Sequence, residues 1–342
     1  MVLNSIEEVA NVLEKKVETL KKLEEIKDKL YKTARIPKKN GGKREISKYL
    51  CGSKKTKKST KQRKPRKQKN EKLCKASEVL RDVHDKINNR IFKKLQIPES
   101  VHGFVPERST LTAAQAHVGK KWVVALDISN FFPSVKTEYV YCSLVDYYGF
   151  GSEAASLIAR IVSYKGGLPQ GALTSPMASN VAFAPIDNRI EELCKEHGII
   201  YTRYADDSTF SFDAEEKKDI VLNDIPKIIE EAGYKINTKK TKIFGPNEQH
   251  YILGYTVNEK VNVPRKKRKH VENAIHTFVV KHEIPIGYAY NPYRYKLVLL
   301  GKAYYILHAN PKLKRFSKIT QMLKEFDTSK YTFKAVIWNV KL

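Results

Sequence analysis

"YTRYADDSTFSF" at residues 201–212 sets two carboxylates, Asp206 and Asp207, side by side among residues that favour extended backbone. Tyr, Thr, Phe and Ser flank them and no Gly or Pro announces a loop, so the stretch reads as a β-hairpin with the acidic pair inside it. Adjacent carboxylates repel each other and resist dehydration. Taken alone, the doublet reads as a tight turn of the Asx kind. A third acid changes the reading. In "WVVALDISNFFPSV" (122–135), Val123, Val124, Ala125 and Leu126 form an apolar strand that ends in Asp127 and breaks at Pro133. On its own Asp127 reads as a helix cap. Three carboxylates at strand ends converge only if their strands are neighbours in one sheet, and such a cluster needs divalent cations to neutralise it. Oxygen ligands favour Mg²⁺, with Mn²⁺ as a substitute. Two such ions roughly 4 Å apart lower the pKa of an attacking hydroxyl and hold the leaving oxygen of an in-line displacement, which is polymerase chemistry.

The composition agrees. Among 342 residues, 64 Lys+Arg against 37 Asp+Glu give a net charge of +27, an excess that points to a partner dense in negative charge. There is no run of about 18 apolar residues and no basic region followed by an apolar core at the N-terminus, so neither a membrane span nor a signal peptide is expected. That favours nucleic acid over a membrane as the partner. Cys51, Cys74, Cys142 and Cys194 are spread without a CxxC pair, which argues against zinc and for buried or free thiols in a reducing cytoplasm.

Outward from the acids, residues 5–32 carry apolar positions at three-to-four spacing, an amphipathic helix with room for one break, opened by Ser5 and Glu8 as a capping box. "RIPKKNGGKREIS" (35–47) has a hairpin signature at Asn40-Gly41-Gly42. Residues 53–70 hold ten Lys or Arg and no acid, a low-complexity basic loop that leaves +17 to the rest of the chain. Helices are expected over 76–95, 137–164, from the "GGLPQGALTSP" loop to about 195, and around 215–232, with a basic, aromatic and mostly helical remainder from 266.

"YADD", "LDISNFFPSV" and "LPQGALTSPMASN" (168–180) together resemble the palm motifs of reverse transcriptases, most closely those of bacterial retrons, over about 35–311 apart from the basic insertion. The resemblance implies an α+β right-hand polymerase fold: a helical segment at 1–34; fingers at 35–120 with the insertion at 51–75; a palm with an antiparallel sheet at 121–250, including a helical part at 143–170; and a primer grip with a helical thumb at 251–342. It implies that Asp127, Asp206 and Asp207 hold two Mg²⁺ ions, with the Ile128 carbonyl assisting. Arg44 would clamp the triphosphate of the incoming dNTP, and a planar guanidinium suits that task. Phe132 would exclude a 2′-OH, with Phe131 turned to the core. Gln170 would contact the nucleotide while Gly171 lets backbone come close. Lys240 would protonate departing pyrophosphate. Arg265, Lys266, Lys267, Arg268, Lys269 and His117 would touch nucleic acid.

Two segments depart from the retron pattern. "AAQAH" (113–117) has Ala113 where these enzymes usually carry Asn, and their VTG triplet stands here as Ile252-Leu253-Gly254. Both bear on the subclass and leave the chemistry intact. The resemblance further implies a cytoplasmic enzyme that binds a structured non-coding RNA, primes from the 2′-OH of a guanosine and copies part of that RNA into branched msDNA. Anti-phage defence with a separate effector protein completes the expectation. The alternatives are another defence-associated or group II intron-like reverse transcriptase, protein-primed or template-independent, and a catalytically silent RNA-binding scaffold.

Overall fold

The computed structural model describes residues 2–37, 43–50 and 68–336. They form two compact units, one from the N-terminal residues to Ser109 together with Val124–Ile243, the other from Thr110–Val123 together with Phe244 onward. The division therefore assigns 110–123 to the C-terminal part of the chain, not to the segment that precedes it.

In the first unit the N-terminal periodicity yields two helices, α1 (Ile6–Leu13) and α2 (Val17–Ile26). Glu14 takes a left-handed φ of 51° and ends α1. Ser5 accepts the Glu8 N–H, but the Glu8 carboxylate accepts from Asn4 instead of Ser5, so the capping box is displaced by one residue. Strands β1 (Tyr31–Pro37) and β2 (Lys43–Tyr49) pair antiparallel with Ile36 opposite Arg44. The Asn40-Gly41-Gly42 turn and the basic loop as far as residue 67 lie outside the described residues. Helix α3 (Gln68–Arg90) begins earlier than its apolar pattern foretells.

A buried polar chain ties β2 and α3 to the loop after Gln170. The His84 ring, 0% exposed, donates Nε2–H to the Ile161 carbonyl, which leaves Nδ1 to accept from the Tyr49 hydroxyl at 2.7 Å. That hydroxyl in turn accepts the Leu173 N–H. Desolvation lowers the His84 pKa to about 4. An unfolded histidine titrates near 6.5, so below that pH the unfolded chain takes a proton that the native ring refuses. Stability should fall by about 1.4 kcal/mol per pH unit from roughly pH 6.5 down to the native pKa. Thermal melts from pH 7.5 to 5 should show a shallower decline for His84→Gln than for the wild type; parallel curves would refute the assignment.

The central sheet has four strands, β3 (Trp122–Asp127), β4 (Ile200–Tyr204), β5 (Asp207–Phe212) and β6 (Lys242–Phe244), in the order β4-β5-β3-β6. The stretch 137–164 is not one helix: it holds Thr137–Cys142, a π-helical turn at Ser143–Tyr147, and α4 (Ser152–Val162). Helix α5 (Ser175–Glu196) packs on β4. Val124, Leu126, Phe183, Phe210 and Phe212 are buried in the core of this unit, which makes the end of β3 a rigid support.

The second unit carries a short hairpin, β7 (Tyr251–Ile252) and β8 (Tyr255–Thr256), turned by Leu253 and Gly254, both at positive φ. Helices α6 (Arg265–Val280), α7 (Pro292–Ala309) and α8 (Lys314–Glu325) enclose Val271, Phe278, Tyr295, Leu299 and Leu323. No helix among the described residues is long and apolar enough to cross a membrane. The expectation of unlinked thiols is corrected at Cys74, which is disulfide-bonded; Cys142 and Cys194 are free.

Candidate functional site

Asp127 sits at the end of β3 with 6% of its surface exposed. Its carbonyl accepts the Asn237 N–H at 2.7 Å, and the Ser129 N–H reaches the Lys235 carbonyl at 2.8 Å. This pairing carries the turn at Thr238–Lys240 to the acid, where Lys240 Nζ donates to both Asp127 oxygens at 2.9 and 2.7 Å. Donating to the Asp127 carboxylate raises the Lys240 pKa.

The doublet caps the β4–β5 hairpin. Tyr204 pairs with Asp207, leaving Ala205 and Asp206 as a two-residue turn in which Ala205 takes φ 57°. The Ile128 N–H donates to the Asp206 carbonyl at 3.0 Å, so the ends of β3 and of the hairpin are fastened together. Desolvation raises the Asp206 pKa, with the Asp127 charge adding to it. Desolvation, then the charges of Asp206 and Asp127, push Asp207 up to about 6. The three acids thus feel one another. Among the described residues no three acidic, His or Cys side chains stand together as a preformed metal cage; Lys240 holds Asp127 in this structure. Carboxylate oxygens have the hard character that a divalent cation such as Mg²⁺ or Mn²⁺ requires.

Beside the acids opens a cavity of about 1060 Å³, lined by Arg44, Phe132, Gln170, Asp127, Asp206 and Lys240 among others. Asp207 is exposed and does not line it. The two adjacent phenylalanines part as expected. Phe131 is buried, its ring 5.8 Å from Phe183 and 6.3 Å from Tyr234. Phe132 is half-buried and lines the cavity. Gly171, at φ +121°, admits a close backbone approach, and the partner is β2: a Cβ there would lie 2.6 Å from the Ser47 carbonyl. The Ser47 N–H also donates to the Gln170 carbonyl at 2.8 Å, so the strand carrying Arg44 is sewn to the loop carrying Gln170.

The remaining candidates lie in the second unit. Arg265, Lys266, Lys267 and Lys269 are exposed on the first turns of α6, and Lys267 lies 4.8 Å over the Tyr305 ring. Arg268 is partly withdrawn, its Nε donating to the Val263 carbonyl. A groove of about 790 Å³ is lined by Lys266, Lys267, Lys302, Tyr251 and Tyr305. His117 needs correction: it is fully buried and cannot meet nucleic acid directly.

Two features escaped the sequence reading. Phe104, at φ 63° and 39% exposed, sets its ring 6.4 Å from Phe132 and 5.8 Å from Tyr204 in the cavity wall. Arg203, Asp187 and Asn180 form a buried polar group beneath the hairpin. The available signal was a charge inside each of two apolar patterns, which carries no information on pairing.

The fastened strand end, the acidic turn and the cavity stand within residues 36–257, which the profile of the reverse transcriptase (RNA-dependent DNA polymerase) family matches; the chain belongs to that family. Several of the curated relatives it resembles are retron reverse transcriptases. It is 35% identical over 199 residues to "Retron Ec86 reverse transcriptase" of Escherichia coli, covering 58% of this chain and 59% of that one. It is 31% identical over 204 residues to "Retron Mx65 reverse transcriptase" of Myxococcus xanthus, covering 54% and 48%. The chain thus spans about half the length of these relatives. Among solved structures, a telomerase from Candida albicans bound to a telomeric RNA fragment overlaps 87% of this chain and 55% of its own, at 12% identity and a TM-score of 0.48.

Proposed function

We propose that this chain is an RNA-directed DNA polymerase of retron type. It binds a structured non-coding RNA, primes from the 2′-OH of a guanosine and copies an adjacent segment into branched msDNA, in the cytoplasm and in anti-phage defence with a separate effector protein. The observation that carries the reading is the single cavity that combines Asp127 and Asp206 with Arg44, Phe132, Gln170 and Lys240. Asp127, Asp206 and Asp207, with the Ile128 carbonyl, would hold divalent cations, Mg²⁺ or Mn²⁺, which supply activation of the attacking hydroxyl and neutralisation of the leaving phosphate.

The protein's own groups do the rest. Arg44 presents a permanent cation with paired donors to the triphosphate of a dNTP. Phe132 fills the space that a 2′-OH would need. Gln170 fixes the nucleotide from a loop that β2 holds in place. Lys240 releases Asp127 and delivers its proton to departing pyrophosphate. The basic start of α6 and the Tyr-bearing groove suit contact with phosphates and stacked bases.

Purified protein with the RNA encoded beside its gene, dNTPs and Mg²⁺ should make DNA that a 2′–5′ debranching enzyme releases. A tyrosyl- or seryl-linked product would instead support the protein-primed alternative, and no synthesis at all would support a silent scaffold. Lys240→Met should lower kcat by about 10²–10⁴-fold, the usual range for a general acid, and remove the high-pH limb of the rate profile. An unchanged profile would exclude that role.

A further inference from the structure

Beneath the acidic turn lies a fully buried ion pair that the polymerase reading does not use. Tyr201 and Arg203 share one face of β4, and Asn180 and Asp187, seven residues apart, share one face of α5. Arg203 and Asp187 are both 0% exposed. The guanidinium grips the carboxylate with two parallel bonds, Nε to Oδ1 at 2.8 Å and Nη2 to Oδ2 at 2.6 Å, and Tyr201 donates to Oδ1 as well. Its faces meet the rings of Phe183 at 4.7 Å and Phe131 at 5.8 Å.

The remaining nitrogen points at the turn. Arg203 Nη1 donates to the Ala205 carbonyl at 3.0 Å and to Asn180 Oδ1 at 3.3 Å. Asn180 Nδ2 donates to the Gly103 carbonyl at 2.7 Å, and Gly103 lies so close that a Cβ there would approach the Ala205 nitrogen to 2.8 Å. The backbone of Arg203 is held from the same side, by the Ser100 carbonyl and the His102 N–H.

A buried ion pair is poor evidence for stability, because well-packed apolar side chains in its place often do as well or better. Its geometry gives it another task. Ala205 occupies a left-handed conformation that non-glycine residues disfavour, and the residue after it is Asp206. We propose that Arg203, oriented by Asp187, is a positioning residue that fixes the Ala205 carbonyl and thereby delivers Asp206 to the end of β3. The catalytic consequence rests on the polymerase reading; the structural consequence does not.

Two variants test it. In Arg203→Met with Asp187→Leu the pair becomes apolar, so the fold is retained while the turn loses its donor. In Arg203→Lys the charge opposite Asp187 remains, but one ammonium cannot replace the fork that reaches both carboxylate oxygens and Ala205. Both should keep a melting temperature near that of the wild type and show faster amide exchange at Ile128, whose N–H bonds the Asp206 carbonyl. In primer extension kcat should fall about 10²-fold, as expected for a displaced catalytic group, with KM for dNTP unchanged. Folded variants with wild-type exchange at Ile128 and wild-type kcat would overturn the proposal. Should the double variant fail to fold, Arg203→Lys decides it. Should the wild-type protein make no DNA, the polymerase reading fails, and exchange at Ile128 still decides whether Arg203 holds the turn.

Discussion

Asp206→Asn combined with Asp207→Asn is expected to reduce DNA synthesis at least ~10³-fold, because an amide cannot supply the charge that binds and bridges catalytic cations. The same variant should be more heat-stable than the wild type in metal-free buffer at pH 7.5. Desolvation, then the Asp206 and Asp127 charges, hold the Asp207 pKa at about 6, above the unfolded value, and Asp206 shifts in the same direction. A carboxylate whose native pKa is raised loses stability as pH climbs from its unfolded pKa, near 4, to its native one, and the loss persists above. The gain from the two amides should therefore be present at pH 7.5 and absent at pH 4. Mg²⁺ should raise the melting temperature of the wild type and leave that of the variant unmoved. Retained synthesis, or equal Mg²⁺ response, would end the metal-site assignment.

Phe132→Ala should admit ribonucleotides. The Phe132 ring borders the cavity, with Phe104 6.4 Å away in the same wall, and an added hydroxyl against a closely packed ring costs about 1–3 kcal/mol. Removing the ring should raise ribonucleotide incorporation, relative to deoxyribonucleotide, by roughly 10- to 100-fold. Phe131→Ala is the contrasting case. That ring is packed on Phe183 and Tyr234, so its loss should cost about 3–5 kcal/mol of stability and leave sugar discrimination unchanged. Competition between ATP and dATP opposite a template uridine reads the difference; equal discrimination in the Phe132 variant would remove the gate.

The basic run at 53–70, as far as residue 67, and the glycine turn at 40–42 fall outside the described residues. Elsewhere, apolar alternation and turn chemistry located the β4–β5 hairpin and the acid at the end of β3, because both are written in neighbouring residues. The separation of Phe131 from Phe132 was legible for the same reason: adjacent side chains at the start of a helical turn face different ways. Gly171 was also singled out correctly for a close approach, but what approaches is Ser47 of β2.

Local pattern thus placed the candidate acids Asp127, Asp206 and Asp207 at a strand end and in a hairpin turn. Packing alone decided their partners. Lys240 reaches Asp127 across 113 residues of sequence, and Arg203 meets Asp187 only because β4 lies on α5. His117 is polar by composition and buried by its place in the second unit. Periodicity reports the face on which a side chain lies, whereas the identity of the group opposite depends on how distant segments stack, a property that no short stretch of sequence contains.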